Sequence, residues 1–306
     1  MTGLAADPLC KEHITGPRHP EQPARFDAAV GALHGLELVP ISPRLATPDE
    51  LALCHARSYI QLAEREIHEG AHELSTGDTA ISPKSLDAAL RATGGALNAV
   101  DAIIEKSISN ALSIGRPPGH HANAARGMGF CIFNTVAIAA RYAQRRHGVG
   151  RVVIADWDVH HGNGTQDIFY ADGTVFFFST HQSPWYPGTG APSERGEGAG
   201  VGMTINCPFP AGSGRREILG AFQEQLVSAA HEFKPELVII SAGFDSRCGD
   251  PLGRFLLTDD DFSDLTGVMR EIADQYAGGR LLSVLEGGYS LTGLASAVRA
   301  HAEALQ

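Results

Sequence analysis

Apolar runs of strand length recur along the chain and constrain its fold more than any other feature. Six such runs lie at 110–115, 151–156, 174–180, 203–207, 236–242 and 280–285. Most are separated by segments with helical periodicity, at 85–106, 133–147, 216–233, 258–277 and 291–305. Strands that alternate with helices predict an open, mostly parallel sheet covered by helices on both faces, an α/β fold. Because no linker-like segment interrupts the 306 residues, we expect a single domain over 1–306.

Charge and cysteine usage argue against several classes of protein. A formal net charge of -11 opposes nucleic-acid binding through a broad basic surface. The five cysteines include no Cys-x-x-Cys pair, so neither a disulfide framework nor a thiolate zinc site is indicated, and a reducing cytoplasm is expected. No stretch reaches the roughly 18 apolar residues that a membrane helix needs. The sequence allows a homo-oligomer and does not decide the oligomeric state.

The densest group of chemically active residues directly follows the apolar residues 151–155. It reads Asp156-Trp157-Asp158-Val159-His160-His161-Gly162-Asn163-Gly164. Alternate side chains of an extended chain share a face, so Asp156, Asp158 and His160 would point one way while Trp157 and Val159 pack on the other side. A solvated loop is the alternative, but the flanking residues are too apolar to leave an acidic segment unpaired. The spacing therefore indicates a metal site.

Polar residues follow other strand-length runs as well. Because ligands of parallel sheets collect at the carboxyl ends of the strands, these residues are expected to meet at one edge. They are Arg116 to His121, His181, Asp245, and Glu286 to Tyr289. A catalytic zinc ion usually takes three protein ligands, and Asp245 is the best candidate to join Asp158 and His160. Taken alone, Asp245 is a weak candidate, since most Asp residues after a strand are turn residues or helix caps.

Two histidines and a tyrosine are candidates for proton transfer and for stabilising an oxyanion. His120 and His121 lie in a loop stiffened by Pro and Gly, where we expect adjacent side chains to diverge and to act as acid and base rather than as ligands of one ion. Asp156 would orient one of these imidazoles. Tyr289 follows Gly287-Gly288, a pair expected to let the phenol swing towards the metal. The alternative is a packed Tyr ring with a hydroxyl in solvent.

Taken together, these residues resemble the zinc-dependent histone deacetylase family, which includes acetylpolyamine amidohydrolases and acetoin-utilisation proteins. The matching blocks span nearly the whole chain and are His13 to Gly16, His19 to Glu21, Pro23 to Arg25, Arg116 to His121, Gly127 to Cys131, Asp156 to Gly164, Ser179 to His181, Tyr186 to Gly190, Gly243 to Ser246, Gly249 to Pro251 and Glu286 to Tyr289. The resemblance is to bacterial class II-type members in particular. It implies an arginase-like open α/β fold and one Zn²⁺ held by Asp158, His160 and Asp245.

The same resemblance implies roles for the remaining site residues. His121 would be the general base and acid, His120 its electrostatic partner beside Asp156, and Tyr289 the hydroxyl that polarises the substrate carbonyl. Phe130 and Tyr186 match the aromatic walls of a tunnel for the acyl-lysine stem, and Gly129 matches a residue whose carbonyl contacts that stem. A structural K⁺ would be held by the backbones of Asp156, Asp158, His160 and Thr180 with the side chain of Ser179.

Several positions depart from parts of the family or bear on substrate choice. Asn163 stands where class I members carry a carboxylate beside the catalytic imidazole, so His121 should lose its proton more readily than in class I sites. Tyr186 stands where eukaryotic members usually have Phe. Leu252 stands where polyamine-selective relatives carry a gatekeeping Glu, which favours acyl-lysine over acylpolyamine. Asp78 or Thr79 is expected to hydrogen-bond substrate backbone at the tunnel mouth.

The sequence therefore predicts a zinc-dependent amidohydrolase that removes acetyl or other acyl groups from lysine ε-amines of proteins or peptides. An acetylpolyamine or other small acylamine is the alternative substrate. Two further hypotheses remain at this point: a two-metal ureohydrolase of the arginase type, and a non-catalytic acyl-lysine or small-metabolite binder. The second of these is disfavoured by His121 and Tyr289, since a pure binding module needs neither.

Overall fold

One eight-stranded, all-parallel sheet forms the centre of the protein in a computed structural model that describes residues 1–306. The strands are β1 (Thr2–Ala6), β2 (Leu38–Pro40), β3 (Asn110–Ile114), β4 (Val152–Asp156), β5 (Val175–Gln182), β6 (Thr204–Phe209), β7 (Leu237–Ala242) and β8 (Leu281–Leu285). They are ordered β2-β1-β3-β8-β7-β4-β5-β6. The predicted open parallel α/β sheet and its six strands are confirmed. The strands β1 and β2 were not predicted, because Thr-Gly-Leu-Ala-Ala and a three-residue strand carry no long apolar run.

Ten α-helices surround the sheet. They are α1 (Ala24–Ala32), α2 (Pro48–Leu51), α3 (Arg57–His68), α4 (Ser85–Ile104), α5 (Thr135–His147), α6 (Asn163–Phe169), α7 (Arg215–Ala221), α8 (Val227–Phe233), α9 (Asp259–Tyr276) and α10 (Leu291–Leu305). The predicted helix at 216–233 is interrupted by a π-helical turn over Phe222–Leu226, which joins α7 to α8. No helix of the chain is both long enough and apolar enough to cross a lipid bilayer.

The sheet separates two apolar cores, and β4 shows how its sequence serves both. Val153 and Ala155 belong to the core on the face covered by α9 and α10. Val152 and Ile154 belong to the opposite core, which α4 and α5 cover. Burial on both faces explains why this strand is a continuous apolar run rather than an alternating one. Trp157 continues into the first of these cores.

Four adjacent strands, β3, β8, β7 and β4, form the middle of the sheet and end at the same edge. Distant segments of the chain are therefore brought together there: 116–121 after β3, 157–161 after β4, 243–246 after β7 and 286–289 after β8. These are four of the five segments expected to converge. His181 lies inside β5 rather than after it.

Candidate active site

Asp158, His160 and Asp245 form a compact buried cluster whose possible ligand atoms all lie within 4.8 Å of one another. Nδ1 of His160 lies 3.0 Å from Oδ1 of Asp158 and 3.1 Å from Oδ2 of Asp245. Backbone N–H groups hold both carboxylates: Val159 donates to Asp245 at 2.9 Å, and Gly287 donates to Asp158 at 2.9 Å. The predicted set of two carboxylates and one imidazole is therefore present at one point.

The electrostatics of this cluster favour a cation. Burial would lower the pKa of the His160 imidazole, but its hydrogen bonds to Asp158 and Asp245 raise that pKa to about 10. Burial and the neighbouring Asp158 raise the pKa of Asp245 to about 7. The cluster thus retains a proton between its carboxylates, at the atom where a metal would bind. One imidazole and two carboxylates are also the ligand types of a catalytic zinc site with an open position.

His120 and His121 lie beside this cluster and face different partners. Nδ1 of His120 lies 2.9 Å from Oδ2 of Asp156, and Nδ1 of His121 lies 2.8 Å from Oδ1 of Asn163. The expectation that the two side chains diverge is wrong, because their ring centroids are only 4.0 Å apart. The tight loop that carries them is held by the carboxylate of Glu286, which accepts the backbone N–H of His120.

The two imidazoles carry different charges. Burial lowers the pKa of His121, and the neighbouring His120 and His160 lower it further, well below its usual value. Burial also opposes the charged form of His120, but the Asp156 carboxylate outweighs it and raises the pKa of His120 well above the usual value. Because Nδ1 of neutral His121 donates to the Asn163 carbonyl, its Nε2 is the free acceptor.

Tyr289 and the glycines before it make close contacts with their surroundings. A Cβ atom at Gly287 would collide with the carboxylate of Asp245, so glycine is needed here for close approach. Close approach thus accounts for Gly287, and the expected swing of the phenol stays a prediction. The ring packs edge-on against Phe130, with centroids 6.0 Å apart, and the Arg25 guanidinium lies 4.9 Å from the ring centroid.

A buried ion-pair network beneath Tyr289 was not assigned any role from the residues alone. Nε of Arg25 donates to the Gly288 carbonyl at 2.6 Å, and Nη1 donates to Glu21 at 2.9 Å. Arg116 donates to the same Glu21 carboxylate through Nε and Nη2, both at 2.6 Å. All three charged side chains are fully buried. Glu21 and Arg25 are four residues apart, but Arg116 and Gly288 are distant in sequence, so the only available signal was three charges within otherwise apolar or Pro-rich blocks.

A pocket of about 230 Å³ leads from the surface to these groups. Its lining consists of Asp78, His121, Gly129, Phe130, His160, Trp185, Tyr186, Leu252 and Tyr289. All the predicted tunnel residues, Gly129, Phe130, Tyr186 and Leu252, are among them. Trp185 was not predicted, and its indole N–H donates to the Leu252 carbonyl at 2.9 Å.

Asp78 and Thr79 were both candidates to hydrogen-bond substrate backbone at the mouth of the pocket, and the structure distinguishes them. Oδ1 of Asp78 accepts the N–H of Gly129 at 2.7 Å and the hydroxyl of Tyr186 at 3.2 Å. Thr79 is fully buried, and its hydroxyl donates to the Cys131 carbonyl, so it does not face a substrate. The hydroxyl that Tyr186 adds to the pocket wall is thus bound to the one carboxylate at the rim.

Comparison with known proteins identifies the class of protein that this fold and site define. A family model for the histone deacetylase domain matches residues 19–305. The chain is 42% identical over 309 residues to "Histone deacetylase 6" of Caenorhabditis elegans, an alignment that covers 94% of this chain and 32% of that protein. It is 40% identical over 294 residues to human "Polyamine deacetylase HDAC10", covering 91% of this chain and 43% of that protein.

A solved structure extends the likeness to the fold. The HDA15 HD domain matches with a TM-score of 0.93 and 34% sequence identity, covering 99% of this chain and 88% of that one. The chain belongs to the histone deacetylase family, and it has that family's arginase-like fold. Family and fold together support a hydrolytic deacetylase that acts on amides. The chain spans less than half of each of the two relatives, so whole-protein substrates and partners do not follow from them.

Proposed function

We propose that this protein is a zinc-dependent deacylase that hydrolyses acetyl-lysine or other acyl-lysine amides in proteins or peptides. The observation that carries the proposal is the buried Asp158, His160 and Asp245 cluster at the inner end of a narrow pocket, next to a neutral imidazole and a phenol. These three side chains would hold the zinc ion. When bound, zinc supplies a Lewis acid and lowers the pKa of water.

Side chains of the protein supply the proton transfers and stabilise the developing negative charge. Neutral His121 presents Nε2 as the general base, and the proton it gains is then available to the departing lysine amine. The His120 imidazolium lies beside His121, and the Asp156 carboxylate holds it in its charged form and orients it. Tyr289 donates its hydroxyl hydrogen to the acyl oxygen, where negative charge develops. Burial raises the pKa of Tyr289 and keeps the phenol protonated for that role.

The pocket walls favour a lysine stem over a polyamine. Phe130 and Tyr186 offer apolar aromatic faces, and Gly129 would offer its carbonyl to the amide N–H at the end of the stem. Asp78 is the only carboxylate at the rim, and one of its oxygens is already bound by Gly129 and Tyr186. Its second oxygen would accept a backbone N–H of a peptide. Leu252 supplies no charge for a second ammonium group.

Acylpolyamine is the second candidate substrate. The observation that favours it is the 40% identity to a relative named as a polyamine deacetylase. A distal ammonium ion would have to bind the free oxygen of Asp78, since Leu252 is apolar. The single carboxylate at the rim makes this the weaker fit.

Two further assignments belong to the proposal. A structural K⁺ would be bound by the backbones of Asp156, Asp158, His160 and Thr180 with the Ser179 side chain. Consistent with this, the buried carbonyls of Asp158 and His160 accept no hydrogen bond within the chain. The Ser179 hydroxyl is already bonded to His181 at 2.9 Å, so it would have to serve both. All five cysteines are free and four are buried, which supports a reducing, cytoplasmic location.

The test is turnover by zinc-loaded protein of acetyl-lysine and trifluoroacetyl-lysine peptides, with acetylspermidine and acetylputrescine in parallel. We expect one zinc ion per chain and faster turnover of the peptides. In Tyr289→Phe we expect loss of acetyl-lysine turnover, with residual turnover of the more reactive trifluoroacetyl-lysine. Two Mn²⁺ ions per chain would favour the ureohydrolase hypothesis. Substrate binding without turnover in the parent protein would favour a binder, and preference for the polyamines would overturn the choice of substrate.

A further inference from the structure

Asp250 joins the loop that carries Tyr289 to the loop that carries Leu252. Its Oδ2 accepts hydrogen bonds from the backbone N–H groups of Tyr289 at 2.7 Å and of Ser290 at 3.0 Å. Its Oδ1 accepts the N–H of Leu252 at 2.9 Å. The residue is only 8% exposed, so water competes little for these three bonds. One carboxylate therefore holds two residues that both line the pocket.

The backbone that leads to Tyr289 depends on such external contacts. Gly287 and Gly288 have no side chains to pack, and Gly288 has a φ of +118°, which favours glycine. The Gly287 N–H is bound by Asp158, and the Gly288 carbonyl is bound by Arg25. The N–H of Tyr289 itself is bound by Asp250. Without Asp250, the carbonyl of the last peptide group before the phenol keeps its bond to Arg25, but the N–H of that group has no partner.

We propose that Asp250 is a positioning residue that sets where the Tyr289 hydroxyl stands in the pocket. The inference rests on the proposed function, because the position of the hydroxyl matters only if Tyr289 acts on the substrate carbonyl. An Asp in a Gly-Asp-Pro segment is ordinarily explained by a local turn bond, and the bond to Leu252 is of that kind. The bonds to Tyr289 and Ser290 reach 39 and 40 residues along the chain, which no local turn requires.

The test begins with Asp250→Asn in the full-length, zinc-loaded protein. Asparagine keeps one acceptor oxygen and places an NH₂ donor where the other was, so at least one set of bonds is lost. Asp261→Asn is the matched control, because the buried Asp261 accepts the Thr258 N–H at the start of α9, outside the pocket. We expect Asp250→Asn to lower kcat about 10- to 100-fold, to change KM less, and to keep its zinc. Asp261→Asn should retain the parent kcat.

A double-mutant cycle separates positioning from general support of the fold. If Asp250 acts through the Tyr289 hydroxyl, Asp250→Asn should cost little in a Tyr289→Phe background, measured with a trifluoroacetyl-lysine reporter. An equal fold-loss in both backgrounds would show that the two residues act independently, and it would overturn the inference. No loss in the parent background would overturn it as well.

Hydrogen exchange provides a readout that needs no turnover. In Asp250→Asn, mass spectrometry should show faster exchange over residues 286–292 than in the parent, whereas Asp261→Asn should affect only the start of α9. Unchanged exchange over 286–292 would overturn the inference. If Asp250→Asn shows faster exchange over 286–292 but the parent protein shows no turnover, the result would instead count against the proposed function. If Asp250→Asn does not fold, Asp250→Glu, which keeps the charge and shifts it by one methylene, replaces it in both measurements.

Discussion

Replacing Asn163 by Asp should shift the acid limb of the pH profile of kcat/KM to higher pH. Oδ1 of Asn163 lies 2.8 Å from Nδ1 of His121, and both residues are buried, so a carboxylate there would act directly on the imidazole. An opposite charge at such a distance shifts a pKa by about 1–3 units. At 1.36 kcal/mol per unit, this corresponds to about 1.4–4 kcal/mol of added stabilisation of the imidazolium.

The direction follows from the state that His121 needs in order to accept a proton. In the parent, burial and the neighbouring His120 and His160 keep the pKa of His121 well below 6.5, so the base is neutral at neutral pH. Activity should therefore persist as pH falls and be lost only in acid. In Asn163→Asp the raised pKa would leave a larger share of His121 protonated near pH 7, and turnover would fall there.

The assay is kcat/KM for an acetyl-lysine peptide across pH, with zinc content measured for every sample. Asn98→Asp adds the same charge elsewhere, at a side chain whose oxygen accepts Nε of Arg44 on a distant part of the fold. Its profile should overlay that of the parent. An acid limb that stays in place in Asn163→Asp, or moves to lower pH at full zinc occupancy, would refute the assignment of His121 as the base.

Four further outcomes are expected. Asp158→Ala and Asp245→Ala should each lose zinc and turnover. In the parent protein, zinc uptake should release protons and should weaken as pH falls, because the metal displaces the proton on His160, whose pKa is about 10. Calorimetry in buffers of different ionisation enthalpy measures that release, and none at pH 7 would contradict it. Leu252→Glu should raise kcat/KM for acetylspermidine relative to an acetyl-lysine peptide by about 10-fold, or about 1.4 kcal/mol, and an unchanged ratio would remove Leu252 from substrate choice. Glu21→Gln should lower the free energy of unfolding by about 3–5 kcal/mol in urea titrations, because it leaves Arg25 and Arg116 buried without a counter-charge; a loss below about 1 kcal/mol would show that the buried pair is dispensable.

Local sequence predicted the parts of the site whose signal lies within one segment. The apolar run of β4 and the alternation after it were enough to place Asp158 and His160 on one side and Trp157 in the core. Asp245 could be added because it also follows a buried strand, and parallel strands end at one edge.

The supporting contacts carry no such local signal. Glu21 meets Arg116 across 95 residues, and Arg25 meets the Gly288 carbonyl across 263. Their pairing is set by the order of strands in the sheet, in which β3 and β8 are neighbours although they are far apart in the chain. The same reason explains why Gly287 was interpreted as flexible, since the carboxylate that its missing Cβ would meet belongs to the loop after β7.

The charges of the metal cluster and of the two adjacent histidines are consistent with one divalent cation and with a neutral residue at position 163. Asp156 is paired with charged His120, so the two cancel. Asp158 and Asp245 share one proton with His160, which leaves that cluster with an excess of one negative charge when both carboxylates are ionised. Exchanging that proton for a divalent ion removes the excess, and neutral His121 adds nothing to it. A carboxylate at 163 would restore a buried negative charge, and protonation of His121 is the nearest way to neutralise it.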